Sequence, residues 1–538
     1  MSINGYPSQS DNASGPGWSY AYCVDDWNRH NTWWEYAHAW FDYLTRCQYL
    51  LQQGLFQADL CYLIPESVPN AVPGREFMRP SVPDGYSYDG CSAEVLRKDM
   101  TVDKGYLSLP HGIHYRVLVL PERDVIVPET LRKVVSVIKH GATVVGSKPK
   151  ASPSLENHPH CDVEVQRIAD EVWGKCDGKF VLENSFGKGR VVWGKELATV
   201  LSTMGIEPDF SCTGRHQQPS VMYIHKKLHD CDIYFVSNQS NEIQELECKF
   251  RVAGKVPELW FPDTGEIRRQ AVFRHRGQHT VTPLRLDQRG SVFVVFREPA
   301  PKTRVESVKC DGIHLFFDAA TTITNQPIVE IQQLEGDWVH IAASETGNYE
   351  LGLSDGREMV VSIPAIAKPL MLSGAWQVCF STGTSAAKSM SFSELISWTE
   401  HGDPEVKFAS GTATYIKEFY VPQESLAEDT MSFLELGRVK NVARVKINGK
   451  DMGVLWKPPF RLDATRVVMP GTNLLEVRVA NLWPNRLIGD QLVSQEERRT
   501  SSDLPYYPQD WPLYESGLLG PVQIRFVGNR KVRISDAH

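Results

Sequence analysis

The sequence predicts a multidomain chain, an α/β region followed by a long all-β region, and three observations predict it. Its 538 residues exceed what one hydrophobic core holds, at about 100–200 residues per domain. Between 59 and 210, short continuous apolar runs alternate with amphipathic helical patterns, the signature of buried parallel strands and their crossover helices. From 219 onward helical spacing gives way to short alternating runs separated by turn residues.

Residues 1–58 open with Gly5, Pro7, Gly15, Pro16 and Gly17 and then give one strong helical pattern. Trp33, Ala37, Trp40, Phe41, Leu44 and Leu51 recur at helical spacing. Thr32-Trp33-Trp34-Glu35 reads as a capping box and Gly54 as the C-cap. Within 59–210, ADLCYLIP (58–65) and YRVLVLP (115–121) are buried-strand runs. Pro128 opens a helix in which Leu131, Val134, Val135 and Ile138 share one face, Gly141 closes it, and ATVVG (142–146) is the next strand. A helix near 162–173, a strand at 189–194 and a helix at 196–205 complete a doubly wound α/β domain. Residues 219–300 carry short strands such as CDIYFVSNQ and SVFVVFRE, as in a β-sandwich. A looser β segment spans 301–370. Residues 371–530 hold the best strand patterns, with Asn448-Gly449 between alternating runs as a hairpin turn.

Composition excludes several classes. Lys+Arg is 57 against Asp+Glu 65, a net charge of −8, which leaves no basic footprint for nucleic acid and no polybasic membrane patch. Hydrophobic residues at 42%, charged residues at 23% and a mean hydropathy of −0.31 are those of an ordinary globular protein. No apolar run approaches the ~18–20 residues of a membrane span, and the opening residues lack the pattern of a signal peptide; the compartment stays open. Eleven cysteines without a C-x-x-C pair argue against a zinc ribbon and a disulfide framework. Fourteen tryptophans suit carbohydrate, because aromatic faces stack on sugar C–H surfaces; on composition alone, burial in sandwich cores is the favoured account of them.

Recognisable chemistry is sparse. No dinucleotide or phosphate-loop fingerprint follows the first strand, and neither G-x-S-x-G nor H-E-x-x-H occurs. Cys91 near a helix start reads as structural. Glu35 beside Trp33 and Trp34 has the composition of an acid on a sugar platform, but the capping box accounts for it without catalysis. Asp25-Asp26 suits a cation, sugar hydroxyls or simple solvation. NLWPNRLIGDQ (481–491) reads as a rigid sandwich corner or a sugar hydroxyl network. His225 and Asn238, the second also in an N-x-S sequon with Asn12 heading another, read as satisfied core or rim positions.

Several stretches resemble one family. GTATYIKEFYVP, ELGRVKNVARVKINGKDMGVLWKPPFRLDAT, NLLEVRVANLWPNRLIGDQ and SGLLGPVQI resemble the C-terminal jelly-roll (galactose-binding-like) domain of glycoside hydrolase family 106, the α-L-rhamnosidase group. NRHNTWWEYAHAWFDYLTRCQYLLQQG resembles the segment after the last barrel strand in that family, and YRVLVLPERDVIVPETLRKVVSVIKHGATVVG its intermediate α/β domain. The resemblance implies that residues 1–58 are the end of a (β/α)8 barrel and that 371–530 form a jelly roll. The family's catalytic glutamates, and most groups around its sugar-bound calcium, are then expected upstream of Met1.

The implied activity is hydrolysis of O-glycosidic bonds in plant-type polysaccharides or glycosides containing L-rhamnose, by an inverting, calcium-assisted enzyme. What this chain is expected to add is one wall of the site, from Trp18, Asp25, Asp26, Arg29, His30 and Trp34, because the loop after a barrel strand points into the site. Two classes remain: a glycoside hydrolase of which this chain is the C-terminal part, and a non-catalytic carbohydrate-binding or scaffolding protein.

Overall fold

A computed structural model describes residues 29–66, 72–214, 219–316, 329–381, 388–500 and 511–537. Its α/β module is a sheet of five parallel strands in the spatial order Tyr88–Cys91, Leu60–Leu63, Val117–Val119, Thr143–Val145, Gly189–Val192. Glu183–Phe186 adds an antiparallel edge. In chain order the parallel strands run 2-1-3-4-5, a doubly wound arrangement. The continuous apolar runs follow from burial on both faces. Cys61, Leu63, Leu118, Val144 and Val191 pack under the Pro128–Lys139 and His160–Trp173 helices, and Leu60, Tyr62, Val117, Val119 and Val192 under Leu197–Thr203. At the carboxyl end of the first strand, Glu66 accepts from the Val127 N–H at 3.0 Å and the Thr130 hydroxyl at 2.7 Å, so a carboxylate of this chain caps the helix that begins there.

The all-β part is built on one sheet of twelve strands. Strands Val221–Lys227, Asp232–Asn238, Ser291–Pro299, Lys255–Trp260 and Ile267–Gln270 form its first part. A four-stranded sheet, Phe210–Gly214, Gln244–Phe250, His279–Leu286 and Arg274–Arg276, faces them across a core of Phe210, Tyr234, Phe250 and Phe296. The large sheet then continues through Val329–Gln333 and Trp338–Ala343 into Gln523–Arg533 and Thr430–Glu435. Only two residue pairs, Arg269 with Gln333 and Gln270 with Gln332, make the first of these joins. A six-stranded sheet covers its far end over a core containing Trp376, Trp398 and Tyr415. Among the described residues no helix is long and apolar enough to cross a membrane.

The expected capping box does not form. A 3₁₀ turn, Trp34–Tyr36, precedes the Ala37–Leu51 helix, and Trp33 caps that turn without a side-chain bond. Thr32 instead donates its hydroxyl to the Asn481 carbonyl, and Glu35 pairs with Arg478 at 2.9 Å. Partners more than 440 residues away displace the local bond. Gly54 lies beyond the Gln52 cap at φ +63°, and a Cβ there would stand 2.5 Å from the Lys227 carbonyl oxygen.

Asn448 and Gly449 turn the predicted hairpin with φ of +52° and +78°, the left-handed pair of a type I′ turn. Asn448 does more than turn. Its side chain donates to the Val467 carbonyl at 3.0 Å and to Asn473 Oδ1 at 2.8 Å, and accepts from the Leu474 N–H at 2.9 Å. Asn448→Ala is expected to lower the unfolding midpoint of the C-terminal sandwich by the equivalent of about 1–3 kcal/mol, because half-buried groups lose their partner. Asn448→Gly should recover only the strain component, and denaturant titration of the two variants separates the contributions.

Candidate functional site

The opening helix carries the tryptophan-rich stretch into the gap between the two sandwiches. One face is docked. Tyr43 bonds Ser291 at 3.0 Å and its ring lies 5.4 Å from Trp456; Arg46 donates to the Pro262 and Asp263 carbonyls; Cys47 joins Ile233, Phe293 and Val295 in a small core. Lys457 reaches Asp263 at 2.8 Å across the same seam. Trp33, Trp34, Trp40 and Phe41 form a row about the start of the helix, with centroids 6.0–6.4 Å apart from ring to ring. These four are half-buried, so each keeps some surface for an apolar C–H face.

Glu35 sits at the head of this row and settles a local electrostatic problem. Arg444 and Arg478 are directly opposite on adjacent strands, a pairing that repels. The Glu35 carboxylate lies 2.9 Å from Arg478 and 4.0 Å from Arg444, while Asp451 takes the other side of Arg444 at 2.5 Å. Arg478 also stands over the buried Tyr36 ring, 5.9 Å from its centroid. Glu35 is thus a structural counter-ion. The sequence concealed this, because its two partners read as outward residues of alternating strands.

Of the six expected wall residues, Trp18, Asp25 and Asp26 lie outside the described residues. Arg29 and His30 come together, Nε of the arginine donating to Nε2 of the histidine at 3.3 Å. Partial burial and then Arg29 hold His30 below its ordinary pKa. The His30 carbonyl accepts from the Trp483 indole at 3.1 Å, and Trp34 packs edge-on to Phe41. The 481–491 stretch is a rigid corner. Asn481 donates to the Ala409 carbonyl and Ser516, Asn485 holds the Tyr514 backbone from both sides, and Arg486 pairs with buried Asp490 at 2.9 Å. Beside it is a cavity of about 330 Å³ lined by Lys440, Asn441, Leu482, Tyr514 and Glu515 among others. Among the described residues no group of three or more His, Cys, Asp or Glu side chains comes together in a way that could hold a metal ion, so they supply no such donor set for the calcium that the resemblance implies.

A sequence profile described as alpha-L-rhamnosidase, that of glycoside hydrolase family 106, matches residues 7–275. This chain belongs to that family. A solved rhamnosidase from Novosphingobium sp. PP1Y is 32% identical and superposes on 96% of this family 106 chain with a TM-score of 0.75, using 43% of its own length. A provisionally named beta-glucuronidase of Formosa agariphila is 28% identical over 95% of this chain and 58% of itself. The family 106 chain therefore spans about half the length of these relatives.

A second cluster in this family 106 chain lies where the α/β module meets the first sandwich. His225, 4% exposed, is held between Asp209, 3.0 Å from Nδ1, and Asp232, 3.2 Å from Nε2, and stacks on Tyr234 at 3.9 Å. Arg251 bridges Asp209 at 3.5 Å and Asp59 of the α/β module at 2.9 Å. Burial alone would lower His225, but the two carboxylates outweigh it and hold the imidazole above 6.5. Burial raises Asp209 and Asp232 less than the imidazolium and the neighbouring cations lower them, so both fall below 3.8. Asp59 goes up, because burial outweighs Arg251. His225, Asp209, Asp232 and Asp59 are all buried away from solvent, so the cluster is structural. His225 confirms the core reading, and so does Asn238, 1% exposed and bonded to the Glu242 and Asp287 carbonyls.

These shifts set the sign of the pH dependence. The raised pKa of His225 contributes stability fully below about 6.5 and loses it as pH climbs through the folded value; the lowered aspartates contribute above about 3.9 and lose it as pH falls through theirs. An NMR titration of the His225 ring should therefore find its midpoint above that of an ordinary imidazole, and His225→Gln should remove this dependence on the alkaline side. Glu35→Gln should cost about 0.2–1 kcal/mol at low salt, a loss that shrinks in high salt as screening quiets Arg444 and Arg478; paired thermal melts at two ionic strengths read it.

Proposed function

We propose that this chain is the C-terminal part of an inverting α-L-rhamnosidase that cleaves O-glycosidic bonds in rhamnose-containing polysaccharides or glycosides. The observation that carries the reading is likeness to a rhamnosidase along 96% of this chain, with the family profile covering 7–275. In this reading residues 1–58 close a (β/α)8 barrel and residues 371–530 are its jelly roll. The half-buried row Trp33, Trp34, Trp40 and Phe41, with Arg29 and His30 at its head, is one wall of the sugar site. The same reading assigns Trp18, Asp25 and Asp26 to substrate binding. Inversion needs an acid and a base roughly 6.5–9.5 Å apart. Glu35, neutralised by Arg478, fills neither role, so the pair belongs to the portion of the relatives that this chain does not span.

A second reading, a sugar-binding or scaffolding protein, is favoured by the cavity of about 330 Å³ at the 481–491 corner, which is large enough for a small ligand and offers the half-exposed Tyr514 ring beside Lys440 and Asn441. The two readings part in one experiment. The protein purified from its native source is assayed on an aryl α-L-rhamnoside and an aryl β-glucuronide, with NMR following the anomer first released. The proposal expects rhamnoside cleavage with inversion. Preference for the glucuronide, or retention, overturns it. No cleavage, together with calorimetric binding of a rhamnose oligosaccharide that Tyr514→Ala abolishes, establishes the second reading instead.

A further inference from the structure

The cysteines are not equivalent. Ten are described, none in a disulfide, and one pair has the geometry to make one. Phe210–Gly214 is the edge strand of the four-stranded sheet, and in its antiparallel register with Gln244–Phe250, Cys212 faces Cys248 directly. The Arg251 N–H donates to the Asp209 carbonyl at 3.0 Å, so the pair one step before Phe210–Phe250 is hydrogen-bonded. Alternation then makes 212–248 a non-hydrogen-bonded pair, the kind with Cα atoms only ~4.5 Å apart and the closest side chains. That lies inside the ~4.4–6.8 Å a disulfide spans. Both side chains share the inner face with Phe210, Leu246 and Phe250.

Their surroundings divide the labour. Cys248 is fully buried, and Cys212, on the open edge, is half-exposed. The neighbouring Cys248 side chain lowers the Cys212 pKa, while burial and its neighbour raise Cys248. The half-exposed sulfur is thus the one that gives up its proton more readily and can meet an oxidant. No other described pair combines these features: Cys61 and Cys91 share two parallel strands but are both buried, and Cys61 faces Asp89.

We propose that Cys212 and Cys248 are a reversible oxidation site, closed to a disulfide by exchange with a small disulfide such as glutathione disulfide. The Cys212 thiolate attacks one sulfur of glutathione disulfide, forming a mixed disulfide and expelling one glutathione thiolate. Cys248, as it gives up its proton, attacks the Cys212 sulfur and expels the second glutathione. Two protein thiols are oxidised, one glutathione disulfide is reduced, and the two protons end on two glutathione molecules. The bond would fasten the edge strand that leads out of the α/β module, just past Asp209, to the interior of the sandwich.

The test is made on the whole chain, incubated with glutathione disulfide, alkylated and mapped by mass spectrometry. The expected result is a 212–248 cross-linked peptide pair with two fewer alkylated thiols, about 2 Da lost for the two hydrogens, and full reversal by dithiothreitol. Alkylation of both residues after oxidation overturns the proposal, and so does a stable glutathione adduct on Cys212 of the unmutated chain. Cys248→Ser should trap one glutathione on Cys212, because nothing resolves the intermediate; an unmodified Cys212 in that variant also overturns it. Should the Cys248→Ser variant fail to fold, Cys212→Ser, at the exposed edge, is expected to leave Cys248 unmodified by the oxidant, and an adduct on Cys248 would contradict the assigned roles.

Discussion

The all-β part hangs on a narrow joint. The large sheet passes from the first sandwich to the next strands through two residue pairs, Arg269–Gln333 and Gln270–Gln332. A ladder that short fixes position but resists twisting poorly, so the rest of the arrangement depends on what braces it. Arg268 supplies one brace, bonded to Glu266 and, across the joint, to Glu330 at 2.8 Å. The opening helix supplies another, touching Ser291 and Asp263 on one side and, with the residues just before it, Trp456, Asn481 and Trp483 on the other. The aromatic row at its start inherits its position from both modules at once.

A division of labour runs through the molecule. Inside each module the cohesion is apolar, as in the Trp376–Trp398–Tyr415 and Phe210–Phe250–Phe296 cores. At the seams ion pairs are added to the apolar contacts: Asp59–Arg251–Asp209, Arg268–Glu330, Glu35–Arg478 and Lys457–Asp263. Apolar contact is non-directional, whereas a hydrogen-bonded charge pair is satisfied in one geometry and costly when broken in a dry place. Charges at seams therefore specify how modules sit more than how tightly they hold.

What was legible in the sequence follows the same division. The parallel strands could be read because both faces of 60–63, 117–119 and 143–145 are buried, leaving unbroken apolar runs. Pro128 and Gly141 marked a helix by backbone chemistry alone, and Asn448-Gly449 a turn. The capping box failed because Thr32 and Glu35 answer to Asn481 and Arg478, and local spacing carries no record of such distant partners. The His225 cluster was hidden for the same reason: Asp59, Asp209, Asp232 and Arg251 are ordinary residues until the fold gathers them. Of the residues expected to line the site, Arg29 and His30 meet because they are adjacent in sequence, which tests nothing of the site itself.

The Gln523–Arg533 strand has a consequence for how the chain reaches this state. It pairs Trp338–Ala343 with one half of its length and Thr430–Glu435 with the other. During synthesis the 338–343 strand emerges far ahead of that partner, since Ala343 faces Gly528 and Trp338 faces Arg533. Until then its edge stays unpaired, and an open strand edge is a template for pairing with other chains. Contacts of such sequence separation also form slowly. Ribosome-bound intermediates of this protein thus carry this open edge over one defined interval of translation, between completion of the 329–343 hairpin and arrival of the strand that closes it.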